Sequence, residues 1–424
     1  MIESAKGMRD ILPQEQPYWD FLEGVVKNIA AGFGFSRIRT PLLEKTELFI
    51  HGVGKQTDIV QKEMYSFKTK GGDALTLRPE NTAPVMRAYI ENGMKAWLQP
   101  VKLYYVDPFF RHERPQHLRA RQFYQIGFEE IGLEGSGIDA ELIQIAHYFL
   151  SKLGLDNYEI QVNTLGDEAC RGAYVSLLRE YIKSNRRSLC ETCNERAVRR
   201  PLSPFDCKEE KCQRIARVAP KIIDSLCESC REDFKEVLEF LDELEVPYTL
   251  NPFVVRGLDY YSKTVFEIWV LRGGKYDPQG AIGGGGRYDG LAKLLGGENI
   301  PGSGFALGVE RIIDTLKERG IKTPKFQVGG VFLAQLGFQA KKRAMRLFME
   351  LLAEGIKVQA SFARDSLSSQ LRIADKLDAE YAIIIGEKEL YDKSAILRDM
   401  KTSNQETLEM KDLIPELKNR LNIL

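Results

Sequence analysis

Two ten-residue runs, Val101–Phe110 and Gln122–Ile131, constrain this chain more than any other feature. Both are rich in β-branched and aromatic residues, and the polar arm 111–121 between them gives the pattern of a hairpin. Strands that follow one another so closely pair antiparallel, because a parallel partner needs a long crossover, usually a helix. An antiparallel sheet is therefore expected at the centre, and βαβ units are not. Before it, Trp19, Leu22, Val25, Val26, Ile29 and Phe33 recur at helical spacing over 14–33, and Gly34 ends the run. Residues 35–41 alternate like a strand up to Pro41. The stretch 75–80 reads as a short strand leading into a helix with Thr82 near its start.

From about 166 to 245 the character changes to helical and charge-rich, with a basic run of Lys183, Arg186, Arg187, Arg196, Arg199 and Arg200. Strand-like and glycine-rich segments resume at 249–311, so the stretch of about 168–240 reads as an insertion into a first domain spanning 1–322. All seven cysteines of the chain lie inside this change of composition, six of them as the pairs Cys190/Cys193, Cys207/Cys212 and Cys227/Cys230. The two C-x-x-C pairs, Cys190/Cys193 and Cys227/Cys230, have the spacing that presents thiolates to one structural zinc, although the stretch between them is longer than in a zinc ribbon. Two other readings stand beside it: cysteines as small buried hydrophobes, or a disulfide if the source is a hyperthermophile. No histidine in the segment could activate a catalytic thiol.

After a linker at 320–325, strands at 328–335, 357–360 and 381–386 enclose a helix at 339–354, which predicts a small α/β domain over 326–424. Lys+Arg and Asp+Glu both number 60, so any basic surface for a polyanion must be local. No run approaches the length of a membrane span and the first residues lack an apolar signal core, so a cytoplasmic protein is expected.

Neither a phosphate-binding G-x-x-x-x-G-K-[ST] loop nor a dinucleotide fingerprint is present. Arg111, Arg114, Arg119 and Arg121 instead crowd the hairpin arm, with paired guanidinium donors suited to phosphates. Arg256-Gly-Leu-Asp-Tyr-Tyr261 brings a cation, an acid and two phenols together. Gly283-Gly-Gly-Gly286 allows a flat ligand close to the backbone, and Arg311 begins a helix after the glycine-rich Gly302–Gly308. Each of these segments alone also fits a solvated loop or an ordinary strand entry.

Together the segments resemble the class II aminoacyl-tRNA synthetases. Residues 35–49 with Pro41 are similar to motif 1, Phe110-Arg-His-Glu-Arg114 through Phe128-Glu129 to motif 2, and Gly302-Ser-Gly304 through Gly308-Val-Glu310-Arg311 to motif 3. Val255-Arg-Gly-Leu-Asp-Tyr-Tyr261 and Gly285-Gly-Arg-Tyr-Asp-Gly-Leu291 resemble segments particular to the histidyl-tRNA synthetases, as do Lys6-Gly-Met-Arg-Asp10 and Thr76-Leu-Arg-Pro-Glu80.

The resemblance implies an α+β fold: a six- or seven-stranded antiparallel catalytic sheet flanked by helices, a helical insertion, and a C-terminal α/β anticodon-binding domain. It implies a homodimer that uses ATP and Mg²⁺, forms histidyl-adenylate and passes histidine to the 3′ end of its tRNA. By the same resemblance Arg111 and Arg256 are catalytic at the α-phosphate, and Arg111, Arg121, Arg256 and Arg311 bind ATP. Glu80, Asn81, Thr82 and Gln125 then face the amino-acid end, and Glu129, Tyr260 and Tyr261 the imidazole. Arg114 and Gln116 face the tRNA acceptor end. A histidine-binding regulatory paralogue without catalysis would share this fold; the complete set of phosphate-facing arginines, and a C-terminal domain that such paralogues lack, weigh against it.

Overall fold

The computed structural model describes residues 2–197, 201–202, 204–205, 207, 209–277, 280–323 and 330–423. The chain divides into two compact units, Met1–Thr323 and Pro324–Leu424.

The larger unit is built on one sheet. In spatial order its strands are Ser36–Arg37, Val101–Phe110, Gln122–Ile131, Gly302–Gly308, Gly283–Arg287, Ser262–Arg272, Tyr158–Thr164 and Thr249–Leu250, and Lys275–Tyr276 extends Ser262–Arg272. The six long strands are antiparallel throughout, with Val101 facing Ile131 and Phe110 facing Gln122 in the central hairpin. The two-residue strands Ser36–Arg37 and Thr249–Leu250 add parallel pairs at the edges and Lys275–Tyr276 an antiparallel one, so among the described residues the sheet counts nine strands rather than six or seven. Two residues are too short to show any alternation, and only their neighbours define them as strands.

Alternation along the hairpin sorts side chains onto two faces. Tyr104, Val106, Ile126 and Phe128 turn one way, joining Phe305 and Phe266 in a core that includes the buried sides of helices Gln16–Gly32, Ser136–Lys152, Glu228–Glu243 and Val309–Glu318. Leu103, Tyr105 and Phe109 turn the other way, into a cluster with Tyr260, Tyr261 and Tyr288. Helix Thr82–Glu91 lies on that second side, contributing Val85, Met86 and Tyr89. A separate three-stranded sheet, Leu43–Lys45, Ala74–Leu77 and Tyr65–Lys68, leads into this helix.

The insertion consists of helices Glu168–Ser184, Glu191–Arg196, Glu210–Arg217 and Glu228–Glu243. It departs after Tyr158–Thr164 and returns at Thr249–Leu250, and those strands pair with each other. Lys183, Arg186 and Arg187 are exposed, whereas Arg196 makes a bidentate pair with Asp58 at 2.9 and 3.0 Å and ties the insertion to the sheet unit. Arg199 and Arg200 lie outside the described residues.

The smaller unit has a five-stranded sheet in the order Val358–Ala360, Val331–Gln335, Tyr381–Ile385, Ser394–Asp399, Gln405–Glu409. The first three are parallel, linked through helices Phe338–Ala353 and Leu367–Lys376, and the last two form an antiparallel hairpin that the alternation of strand and helix did not anticipate. Residues 324–329, which include part of the expected linker and the expected start of the first strand, lie outside the described residues.

Candidate active site

A cavity of about 820 Å³ opens on the sheet face opposite the main helical core. Arg111, Arg256 and Arg311 line it together with Glu80, Asn81, Thr82, Gln125, Tyr260 and Tyr261, so residues from four distant segments converge there. Arg111 ends the strand Val101–Phe110; its Nε donates to the Pro79 carbonyl at 2.9 Å and its guanidinium lies 5.3 Å from the Phe123 ring centre. Arg256 donates to Glu267 Oε1 at 2.9 Å and stacks over Tyr261 at 5.5 Å. Its Nε is buried without a hydrogen-bond partner among the described residues, a donor left for something that enters the cavity. Gly284 makes room for this arginine, since a Cβ there would meet an Arg256 terminal nitrogen at 2.8 Å. Arg311, in the first turn of helix Val309–Glu318, donates to the Ala281 carbonyl at 2.6 Å.

The acidic side of the site is buried. Glu80 accepts from the backbone N–H groups of Thr82 and Ala83 at 2.7 and 3.2 Å, capping the helix Thr82–Glu91, and from the Tyr260 hydroxyl at 3.3 Å. Burial pushes its carboxyl up to about 7, against the pull of those donors and of Arg111. Glu129 lies deeper, off the cavity wall. It accepts from Tyr288 at 2.6 Å, Thr82 at 2.9 Å and Tyr105 at 3.3 Å, and burial raises it to about 8. It fits because Gly304 faces it across the sheet: a Cβ at 304 would come within 1.8 Å of Glu129 Oε2.

Three buried or half-buried groups carry this floor without having been singled out for a role. Tyr288, inside the Gly285–Leu291 signature, positions Glu129, while its neighbour Arg287 is held by Asp139 and Asp289 at 2.9 and 3.1 Å. Glu310 accepts from the Tyr124 amide at 3.0 and 3.1 Å and is raised by burial to about 7. Arg78, in the Thr76–Glu80 segment, is almost fully buried; it pairs with Asp107 at 3.3 Å, donates to Thr40 and Pro108 carbonyls, and lies over Phe109. The strand parity of Tyr105 and Glu129 was available from the sequence; the pairing with Tyr288 was not.

Comparison with known proteins places this geometry. Residues 7–312 match the family described as "Histidyl-tRNA synthetase", and residues 330–420 match "Anticodon binding domain". The chain belongs to the histidyl-tRNA synthetase family. It is 45% identical over 421 residues to a protein named histidine–tRNA ligase in Dehalococcoides mccartyi, spanning 99% of this chain and 100% of that one. A histidine–tRNA ligase of Thermoanaerobacter pseudethanolicus is 43% identical over 419 residues, with 99% and 100% covered. Among solved structures, apo histidyl-tRNA synthetase from S. aureus superimposes with a TM-score of 0.82 at 34% identity, covering 99% of this chain and 100% of that one.

Within this histidyl-tRNA synthetase fold, the arm 111–121 rises from the cavity rim. Its tip is a small reciprocal turn between Gln116 and Arg119, at 3.2 and 3.0 Å. Arg114 and Gln116 are exposed there, and only Gln116 of the two borders the cavity. Arg121 sits outside the cavity wall: its Nε donates to the Glu113 carbonyl at 3.2 Å, and its own amide donates to Gly7 at 2.7 Å. It fastens the arm and the N-terminal segment, so Arg121 does not join Arg111, Arg256 and Arg311 on the cavity wall.

The cysteines also group differently from the C-x-x-C reading. Cys190 and Cys193 converge with Cys207 and Cys212, whereas Cys227 and Cys230 converge with Cys170 and Asp167. Spacing had joined the two C-x-x-C pairs to each other; the helices between them place those pairs in separate clusters.

Proposed function

We propose that the chain activates L-histidine with ATP to histidyl-adenylate and pyrophosphate, and then transfers histidine to the 3′-terminal ribose of its tRNA. One observation carries the reading: a single cavity brings three arginines from separate segments against a buried carboxylate–tyrosine floor. Attack of the histidine carboxylate on the α-phosphate needs alignment and charge stabilisation more than covalent help. Arg111 and Arg256 suit the two sides of that phosphate, each pre-oriented by a hydrogen bond and an aromatic face. Arg311 suits the outer part of the nucleotide. Glu80, Thr82 and Gln125 offer acceptors to the α-ammonium, with Asn81 completing that wall. Tyr261 and Tyr260 meet the imidazole, with Glu129 acting behind them through Thr82 and Tyr288.

A site that selects by hydrogen bonds leaves its own buried groups unpaired when a wrong side chain enters, and so rejects it strongly. Mg²⁺ fits as an ion carried in with the nucleotide: it needs few protein carboxylates alongside phosphates, and among the described residues no three carboxylates converge in the cavity. It would supply charge neutralisation on the phosphates. Arg114 and Gln116 on the exposed arm suit the tRNA acceptor end, and the smaller unit suits the anticodon.

A homodimer is supported by apolar side chains left exposed on and beside the small sheet, Leu42, Leu43 and Phe67, next to the motif 1 segment. Among the described residues no helix is long and apolar enough to cross a membrane, and the cytoplasm, where tRNA is charged, is the compartment we assign. ATP–pyrophosphate exchange with each of the twenty amino acids tests the proposal. Exchange with histidine alone is expected. Histidine binding without exchange would transfer the site to a regulatory role.

A further inference from the structure

We infer that the insertion holds two Zn²⁺ ions in separate tetrahedral sites, one on Cys190, Cys193, Cys207 and Cys212, the other on Asp167, Cys170, Cys227 and Cys230. Within each quartet the ligand atoms all lie within 4.8 Å of one another. Zinc–sulfur bonds of about 2.3 Å in a tetrahedron set the sulfurs about 3.8 Å apart. Cys190 Sγ and Cys207 Sγ are 3.9 Å apart, close to that spacing. Backbone N–H groups already point at the sulfurs: the Cys193 amide at Cys190 Sγ, 3.3 Å, and the Cys190 amide at Cys212 Sγ, 3.2 Å. Such bonds favour the ionised thiolate that a metal requires.

The second quartet is anchored by Asp167. Its Oδ1 accepts from the Ala169 and Cys170 amides and lies 3.4 Å from Cys170 Sγ, and Cys227 Sγ is 3.9 Å from Oδ2. The Asp167 carboxylate caps helix Glu168–Ser184 through Oδ1, and beside three thiols it completes a tetrahedral donor set. The two quartets consume all seven cysteines with none left over, and none is in a disulfide.

The insertion also has reason to use metal. Four of the thirteen fully buried residues of its apolar cluster are cysteines, and a segment of this size cannot build a thick core from the remaining nine. The Asp167 site closes the neck, joining the residues just after strand Tyr158–Thr164 to the start of helix Glu228–Glu243. The Cys190 site gathers the distal helices Glu191–Arg196 and Glu210–Arg217. Binding releases protons from the thiols, so loading weakens as pH falls.

Full-length protein purified without chelator should contain two zinc ions per chain by elemental analysis. Cys193→Ser and Cys230→Ser should each retain one ion, and the double variant none. Zinc at one per chain or below in the unaltered protein would overturn the inference, as would a mass deficit showing disulfides. Cobalt substitution keeps the test independent of variant folding: two thiolate-rich tetrahedral spectra are expected from the unaltered chain, of which Cys230→Ser loses the Asp167 component and keeps the four-sulfur one. A single spectrum abolished whole by either substitution would return the cysteines to one shared site and refute the two-site assignment.

Discussion

On the helix-packed face of the catalytic sheet, the Phe128 ring lies 5.3 Å from Phe305, 5.0 Å from Phe35 and 5.9 Å from Tyr104, inside an apolar cluster drawn from most of the larger unit. In the insertion, Cys212 and Cys230 are as deeply buried, in a cluster where four of the thirteen buried residues are cysteines. The sheet can bear the cost of burying Glu80, Glu129 and Arg78, because each of them makes several hydrogen bonds there. The insertion has no such reserve, and its polar and sulfur groups are gathered where they can hold something together. On the proposed function polar burial in the first region serves substrate, and on the two-site inference it serves folding in the second.

The largest contrast lies in chemistry. Arg256→Ala should lower histidine-dependent pyrophosphate exchange by about 10²–10³-fold, the scale of losing one charge-stabilising donor, with the thermal transition little changed. Near-normal exchange would remove Arg256 from the phosphate. Replacing Lys183, Arg186 and Arg187 together by alanine should do the reverse, reducing tRNA aminoacylation more than adenylation, since these residues present an exposed basic edge to an RNA backbone. Equal losses in both steps would make the insertion a structural part of the catalytic unit, acting through the Arg196–Asp58 pair.

Glycines give a finer version of the same contrast. Gly304→Ala overpacks the sheet against Glu129 and should destabilise by about 1–3 kcal/mol while raising the KM for histidine. Gly172, within the insertion helix Glu168–Ser184, has nothing within 4 Å of a Cβ, so Gly172→Ala should stabilise by about 0.5–1 kcal/mol. Chemical denaturation of both variants checks the pair, and a stabilising Gly304→Ala would refute the crowding at Glu129.

The smallest effect is in pH. Burial raises Glu80 and Glu310 to about 7 and Glu129 and Glu130 to about 8. Between the unfolded carboxyl value and these, the folded protein binds more protons than the unfolded chain, so these groups make stability fall as pH rises from about 5 to 8. Saturating histidine should flatten the fall by giving Glu80 a cation. A thermal midpoint that rises over this interval in the ligand-free protein would mean that these groups are not the dominant titration.

Much of the site was legible in one dimension. Composition and alternation marked both strands of the hairpin, and the motif segments named Arg111, Arg256 and Arg311, which line the cavity. Arg121 shows where that stops, because its position among arginines in the arm does not reveal that it fastens Gly7 rather than facing the cavity. The cysteines show the same boundary: neighbours at C-x-x-C spacing were paired correctly, and the partners of each pair were not.

By itself the sequence determined the central hairpin, the insertion, the family and the residue types of the pocket, because periodicity, composition breaks and motif spacing are local properties. Only the tertiary structure decided that Tyr288 holds Glu129 across 159 positions, that Arg196 grips Asp58 across 138, and that seven cysteines and an aspartate sort into two quartets. Those contacts depend on strand order and on how helices cross. Such geometry is set by the packing of the whole unit, and no short window of sequence contains it.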